Sequence, residues 1–200
     1  MITEHFIYSA ALAILVGLVF YQYTGRDSSW IIILVAVAPD LDVIANPVLR
    51  TLGFRILFEG HTISHGTFHN VATMVIFGIA VAFLLHPLGV KFFDGLFLSM
   101  IGFGAHLFED ALVYNPGYEF LWPFSSQVLG FGLLPSVVNE ENYARDFFGI
   151  ANTEVLIIGL VLVLVAFLIR TYYEGSSSWV RWYIPEGIYK KFFQKKTPES

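Results

Sequence analysis

The chain contains no cysteine and few charged residues, and both shortages limit what it can be. Without cysteine there is neither a disulfide nor a thiolate ligand, so any metal must be bound by nitrogen and oxygen donors. Only 14% of the 200 residues are charged, whereas 56% are hydrophobic. Soluble domains average about a quarter charged residues. The composition therefore predicts an integral membrane protein, and the lack of a basic patch argues against a nucleic-acid partner.

Two sequence signals are also missing. The N-terminus has no basic region of the kind that opens a cleavable signal peptide, so the first apolar run is expected to be a retained helix. The chain has no Gly-x-Ser-x-Gly motif, which would mark a serine nucleophile. With cysteine absent as well, no covalent nucleophile competes with metal-based chemistry.

Five apolar segments are candidates for membrane-spanning helices, each of which needs about 20 mostly apolar residues. They are expected at residues 5–23, 29–38, 68–85, 92–113 and 153–169. The second is short and stops at Pro39-Asp40-Leu41-Asp42, and an extension over 43–49 would make it a broken or tilted element. The expected fold is an all-α polytopic membrane helix bundle of about five transmembrane helices.

The rest of the chain falls into two stretches that are not simple spans. Residues 116–148 are mixed in composition and fit an external cap, a re-entrant segment or a lid. Residues 176–196 interleave aromatic and basic side chains, which fits either an interfacial C-terminal helix or a stop-transfer flank with a frayed tail. The expected division is a transmembrane domain over 1–175 and a basic aromatic tail over 176–200.

Basic residues favour the cytoplasmic side of a membrane, and they concentrate after the last span. The basic residues of this tail are Arg170, Arg181, Lys190, Lys191, Lys195 and Lys196. A cytoplasmic C-terminus and five spans place the N-terminus outside the cell membrane. Four separate segments then bring histidine and aspartate to the extracytoplasmic face, while His86 alone reaches the other face and is assigned a structural role.

The histidines and aspartates of that face have spacings that suit a metal site. His106 and Asp110 lie four apart on one helical face, and the alternative for them is a hydrogen bond that joins helices. Asp40 and Asp42 follow Pro39, where a turn can aim both carboxylates at one point, or let one bind metal while the other orients a ligand. The alternative for this pair is a helix-ending cap with solvated carboxylates.

Three further histidines lie at steps of four, at His61, His65 and His69, and would share one face if the stretch is helical. One of the three can serve as a general acid or base rather than a ligand. His5, weak alone, gains weight because it shares the face with the others. Glu109 points about 100° away from Asp110 on a helix and can reach a second set of ligands.

Taken in order, these residues resemble the membrane-bound metal-dependent hydrolase family, which includes a LexA-regulated inner-membrane group. The resemblance covers about residues 1–126. The matching positions are His5, Pro39-Asp40-Leu41-Asp42, Thr62-Ile63-Ser64-His65-Gly66, His106-Leu107-Phe108-Glu109-Asp110, Asn115-Pro116-Gly117 and Leu121-Trp122-Pro123-Phe124-Ser125. The chain departs from the family where His-Arg would fall, because it has Gly60-His61 there, and His69 lies outside the pattern. The resemblance implies a metal-dependent hydrolase, distantly similar to zinc phospholipase C enzymes.

The sequence thus predicts a hydrolase that uses a metal-activated water on a lipid-linked or phospholipid ester or phosphoester. The metal is expected to be zinc, as one or two ions, with manganese or iron as alternatives. The expected ligands are His5, Asp40, His65, His69, His106 and Asp110. Catalytic roles are expected for Asp42, His61 and Glu109. Two other classes stay open, which are a metal or proton transporter and a membrane scaffold with a structural metal.

Overall fold

A computed structural model describes residues 2–55, 57–58, 61–63, 65–114, 116–133 and 153–184 of the chain. In these ranges six α-helices account for most of the structure, which confirms the all-α prediction. They are α1 (Ile2–Thr24), α2 (Trp30–Val35), α3 (Leu41–Thr51), α4 (Val71–Leu85), α5 (Phe92–Val113) and α6 (Thr153–Glu174). A short antiparallel hairpin pairs β1 (Leu57–Phe58) with β2 (His61–Thr62). Two 3-10 helices cover His86–Leu88 and Ser178–Trp182.

Four of the described helical stretches are long and apolar enough to cross a membrane, rather than five. They are Ile2–Thr24, Val71–Leu88, Phe92–Val113 and Thr153–Glu174. The second expected span is divided by a turn around Pro39 into α2 of 6 residues and α3 of 11. Proline lacks the backbone N–H and its ring crowds the carbonyl four residues earlier, which here belongs to Val35, the residue at which α2 ends. The structure thus contains the broken element that the sequence offered as one alternative for residues 29–49.

Helix α2 is held between α1 and α5, and this packing positions the residues that follow it. Ile31, Ile32 and Val35 of α2 are buried in one core with Phe103 of α5. Gly102 makes the close approach of α2 and α5 possible, because a Cβ there would lie 2.7 Å from the carbonyl oxygen of Ile32. The turn after α2 is therefore fixed against the second half of α5.

Contacts between helix termini define the two ends of the bundle. The starts of α1 and α6 lie together, since the Tyr8 hydroxyl donates to the carbonyl oxygen of Val155 at 3.1 Å. The start of α4 contacts the segment after α5, because the Val71 N–H donates to the Phe120 carbonyl at 2.9 Å. At the other end, Arg26 after α1 pairs with Asp94 at the start of α5.

The described part of the segment after α5 folds back on α4. Tyr118 pairs with Leu129 in an isolated antiparallel bridge. Besides Phe120, the carbonyl of Trp122 accepts from Ala72 N–H at 3.3 Å, so this segment satisfies donors that the first turn of α4 leaves open. Residues 134–148 of the expected cap, re-entrant segment or lid lie outside the described residues.

A cluster of buried polar side chains surrounds Arg170, near the end of α6. Its guanidinium is fully buried and pairs with Asp27 at 2.8 Å and with Glu174 at 2.7 Å. Arg170 also donates to the Tyr183 hydroxyl at 3.0 Å, and Trp179 lies over the guanidinium at 4.8 Å. Residues 176–184 of the expected tail thus pack on the bundle, whereas 185–200 lie outside the described residues.

Candidate metal centre

Histidines and carboxylates from four parts of the chain meet at the end of the bundle where α1 begins. His5 comes from the first turns of α1, Asp40 directly precedes α3, and Asp42 lies in the first turn of α3. His65 and His69 precede α4, and α5 contributes His106, Glu109 and Asp110. All six expected metal ligands take part in this cluster, namely His5, Asp40, His65, His69, His106 and Asp110.

In this cluster the Nε2 atoms of His69 and His106 each lie within 4 Å of one oxygen of Asp40 and one of Asp110. His69 Nε2 lies 3.1 Å from Asp110 Oδ2 and 3.5 Å from Asp40 Oδ1. His106 Nε2 lies 3.4 Å from Asp110 Oδ2 and 3.7 Å from Asp40 Oδ1. A zinc ion with bonds of about 2.0–2.2 Å places its ligand atoms roughly 3.3–3.6 Å apart in a tetrahedron. The four histidine–aspartate separations lie at or near this range, and we call the four side chains the four-donor set.

Burial makes this set unusual as a group of ionisable residues. Asp40, His69 and His106 are 0% exposed and Asp110 is 3% exposed. Within the described residues, Nε2 of His69 and Nε2 of His106 are buried and have no hydrogen-bond partner. A buried polar atom without a partner is costly, and a cation between these atoms would satisfy both nitrogens.

Three histidines of the cluster are oriented in the same way. The Nδ1–H of His106 donates to the carbonyl oxygen of Ala36 at 2.6 Å. Nδ1 of His5 contacts Glu109 Oε2 at 2.8 Å, and Nδ1 of His69 faces Asp42 Oδ2 at 3.4 Å. An acceptor at Nδ1 fixes, for His5 and His106, the tautomer that leaves Nε2 free to bind metal, whereas the contact of His69 Nδ1 with Asp42 is not a hydrogen bond. The three rings consequently turn Nε2 toward Asp40 and Asp110.

Asp42 shapes the turn that carries His65 and His69. Its Oδ2 accepts from the backbone N–H groups of Gly66 at 2.9 Å and Phe68 at 3.2 Å. Burial alone would raise the pKa of Asp42, but His65 and His69 outweigh that effect and lower it. The same balance, with His69 as the main partner, lowers the pKa of Asp40 below its usual range. Both carboxylates thus stay ionised despite their burial.

His65 differs from the other three clustered histidines. Its Nδ1 faces Asp42 Oδ1 at 3.4 Å and Asp40 Oδ1 at 3.9 Å, while its Nε2 is 2.8 Å from the Tyr118 hydroxyl. Its side chain is 25% exposed, in contrast to the 0% of His69. Burial raises the pKa of the Tyr118 phenol, which therefore stays protonated and can donate to His65.

Tyr118 is the residue of this centre that sequence reasoning missed. It is one of 10 tyrosines, and its spacing from the histidines carries no periodic signal. Its place directly after Pro116-Gly117 is the feature that could have drawn attention to it. The isolated bridge to Leu129 and the contact with His65 both depend on tertiary structure.

The expected helical face of His61, His65 and His69 is wrong. The stretch forms the β1–β2 hairpin followed by turns, because Gly66 has a positive φ and the contacts of Asp42 hold the chain folded back. The backbone of His61 lies in β2, and its side chain is outside what the structure describes. His86 lies apart from the centre, with Nδ1 3.2 Å from the Val90 carbonyl oxygen.

The apolar spans and the buried centre define the class of this molecule, an all-α integral membrane protein with a metal-competent site at one end of its helix bundle. Residues 1–180 match the model of the family described as YdjM inner membrane protein, and the chain belongs to that family. Neither the curated proteins nor the solved structures gave a match. The resemblance to a membrane-protein family is thereby confirmed, while its hydrolase and zinc phospholipase C part stays a prediction.

Proposed function

We propose that this protein is a metal-dependent hydrolase that cleaves an ester or phosphoester of a membrane lipid. The four-donor set carries the proposal, because two imidazoles and two carboxylates converge while fully buried in an apolar protein. Such groups are expensive at membrane depth and are retained where they bind ions or carry out chemistry. The donors are nitrogen and oxygen, which suits zinc first and manganese or iron next.

A divalent cation in this centre would supply a Lewis acid that activates water and polarises the ester. The chain itself supplies the means to move a proton. Tyr118 donates to Nε2 of His65, and Nδ1 of His65 faces Asp42, so the ring is fixed between the two. His65 is also the partly exposed histidine of the cluster. We assign this chain of groups the removal of a proton from the attacking water: the Tyr118 hydroxyl would take that proton while passing its own to Nε2 of His65, and Asp42 would orient the protonated ring.

The surroundings of the centre support a lipid as substrate. Exposed apolar side chains adjoin the clustered residues along the chain, among them Phe6 at 38%, Leu41 at 38% and Phe108 at 60% exposed. In a membrane these side chains contact acyl chains. An ester near the headgroup level can therefore reach the centre while its acyl chains remain in the bilayer.

The test combines elemental analysis of the purified protein with hydrolysis assays on a panel of phospholipids and lipid-linked esters. We expect stoichiometric metal, and a loss of hydrolysis of at least 100-fold in His106→Ala and in Asp110→Ala. His86→Ala is the matched control, because this histidine lies outside the centre, and it should keep full activity.

Three outcomes would contradict the proposal. Protein without stoichiometric metal would remove its basis. Full activity in the His65→Ala, Asp110→Ala double variant would separate the activity from this centre. Stoichiometric metal without hydrolysis of any lipid in the panel, together with unfolding on chelation, would favour a scaffold with a structural metal.

A further inference from the structure

Both aspartates of the four-donor set have a second oxygen, and both second oxygens face the same histidine. Asp40 Oδ2 lies 4.0 Å from His5 Nε2, and Asp110 Oδ1 lies 3.8 Å from the same nitrogen. Their other oxygens, Asp40 Oδ1 and Asp110 Oδ2, face His69 and His106. Each carboxylate therefore spans from His5 on one side to the four-donor set on the other.

We propose that His5 and the second oxygens of Asp40 and Asp110 hold a second divalent ion, bridged to the first by both carboxylates. This inference rests on the proposed function for the existence of the first ion. Paired ions in hydrolytic sites lie about 3.5–4 Å apart, a spacing that bridging carboxylates impose. The separations around His5 Nε2 exceed those in the four-donor set by a few tenths of an ångström, so a small inward movement of His5 would complete this second site.

His5 is well prepared to be a ligand. It is 6% exposed, and its Nδ1 contacts Glu109 Oε2 at 2.8 Å, which leaves Nε2 directed at the two aspartates. Its ring stacks on the ring of His106 with centroids 3.7 Å apart and an angle of 19°. Glu109 is thus a positioning residue for His5, in the manner of carboxylates behind metal-binding histidines.

The two ions would differ in the number of coordination positions that protein donors occupy. The four-donor set would offer the first ion four protein donors, whereas the second ion would receive three, from His5, Asp40 and Asp110. Catalytic zinc sites keep an open position for water or substrate, and structural sites are closed. The second site would therefore keep a position for water or an ester oxygen on the His5 side, while the first ion could still accept a fifth ligand, as zinc does during catalysis.

The experiment measures metal stoichiometry and magnetic coupling in full-length protein in detergent. Wild-type protein loaded with zinc or with manganese should bind two equivalents, and the manganese form should give the electron paramagnetic resonance spectrum of a coupled pair. His5→Phe keeps the stacked ring but loses Nε2, so we expect one equivalent and the six-line spectrum of an isolated ion. His86→Phe is the matched control and should keep two coupled ions.

The outcomes separate this inference from the proposed function. One equivalent in wild-type protein, or two coupled equivalents in His5→Phe, would overturn the second ion and leave the hydrolase proposal intact. No bound metal in wild-type protein would overturn both. The folding of His5→Phe is checked by its helical circular dichroism, and a second pair of variants tests the same point without touching a ligand.

These variants are Glu109→Leu and Glu109→Gln. Glu109→Leu removes the acceptor at His5 Nδ1 and should weaken the second equivalent about 10–100-fold while leaving the first unchanged. Glu109→Gln restores an acceptor oxygen and should recover part of that affinity. Equal weakening of both equivalents in Glu109→Leu would show a general structural effect and would overturn the positioning role.

Discussion

At the scale of single residues, the contact between Tyr118 and the turn that carries His65 depends on one glycine. Gly66 has a φ of +95° and lies within the turn that leads to His69. A Cβ at this position would lie 2.8 Å from Cδ1 of Tyr118. Glycine therefore meets two needs at once, since it adopts the left-handed backbone without strain and leaves room for the ring that contacts His65.

Gly66→Ala should lower the free energy of unfolding by about 2–5 kcal/mol, as the sum of backbone strain and overpacking. Gly53→Ala is the control, because Gly53 has a φ of +78° but nothing within 4 Å of its Cβ position. Gly53→Ala should lower the free energy of unfolding by the backbone strain alone, about 1–2 kcal/mol. Equilibrium unfolding in mixed micelles measures both, and equal losses would show that the contact with Tyr118 costs nothing.

At the scale of elements, α2 connects the two buried polar clusters. Near its start, Asp27 Oδ1 accepts from the Ser29 N–H at 2.8 Å, and Asp27 pairs with Arg170. After its end, the Ala36 carbonyl fixes the His106 ring. Because α2 has 6 residues, its two ends are close along the chain, and the buried ion pair at one end helps to place the ligands at the other.

Arg170→Met should destabilise the protein by about 3–5 kcal/mol, because it leaves the carboxylate of Asp27 buried without its partner charge. The double variant Asp27→Asn, Arg170→Met should be more stable than Arg170→Met alone. The exposed pair Arg26–Asp94 is the control, with an arginine side chain that is 41% exposed, so Arg26→Met should cost no more than about 1 kcal/mol. Similar losses for the two arginine variants in equilibrium unfolding would contradict a special role for the buried pair.

At the scale of the whole molecule, all the clustered donors lie at one end of the helix bundle. The centre lies where α1 and α4 begin and α5 ends, and the start of α6 shares that end. Arg170 lies near the other end of α6, so the described part of the tail, residues 176–184, follows this helix at the end away from the centre. Basic tails favour the cytoplasm, and we therefore propose that the centre faces outward from the cell membrane.

Cysteine labelling tests this orientation, and the chain's lack of cysteine gives it a clean background. Leu52 is 64% exposed and lies in the chain between Asp42 and His65 of the centre. Leu52→Cys should therefore react with an impermeant maleimide in intact cells. Leu88→Cys, at a position 76% exposed in the turn between α4 and α5, should react only after permeabilisation. The opposite pattern would reverse the orientation and would leave the geometry of the centre unchanged.

The sequence by itself determined the class of fold and most members of the centre. Long apolar runs specify membrane helices because each must satisfy its own backbone hydrogen bonds, and α5 was placed at its observed bounds of Phe92–Val113. The step of four between His106 and Asp110 was sufficient to place both on one face of that helix. These are local properties, and local properties can be read from the order of residues.

Only the tertiary structure decided how the donors are oriented and what supports them. The turn that brings His65 to Tyr118, the Ala36 carbonyl behind His106 and the burial of Arg170 join residues that are far apart in the chain. No periodicity marks such contacts, because they depend on how α2 packs between α1 and α5. The turn at Pro39, which divides the expected second span, has the same kind of consequence. It places Asp40 among histidines from three other segments.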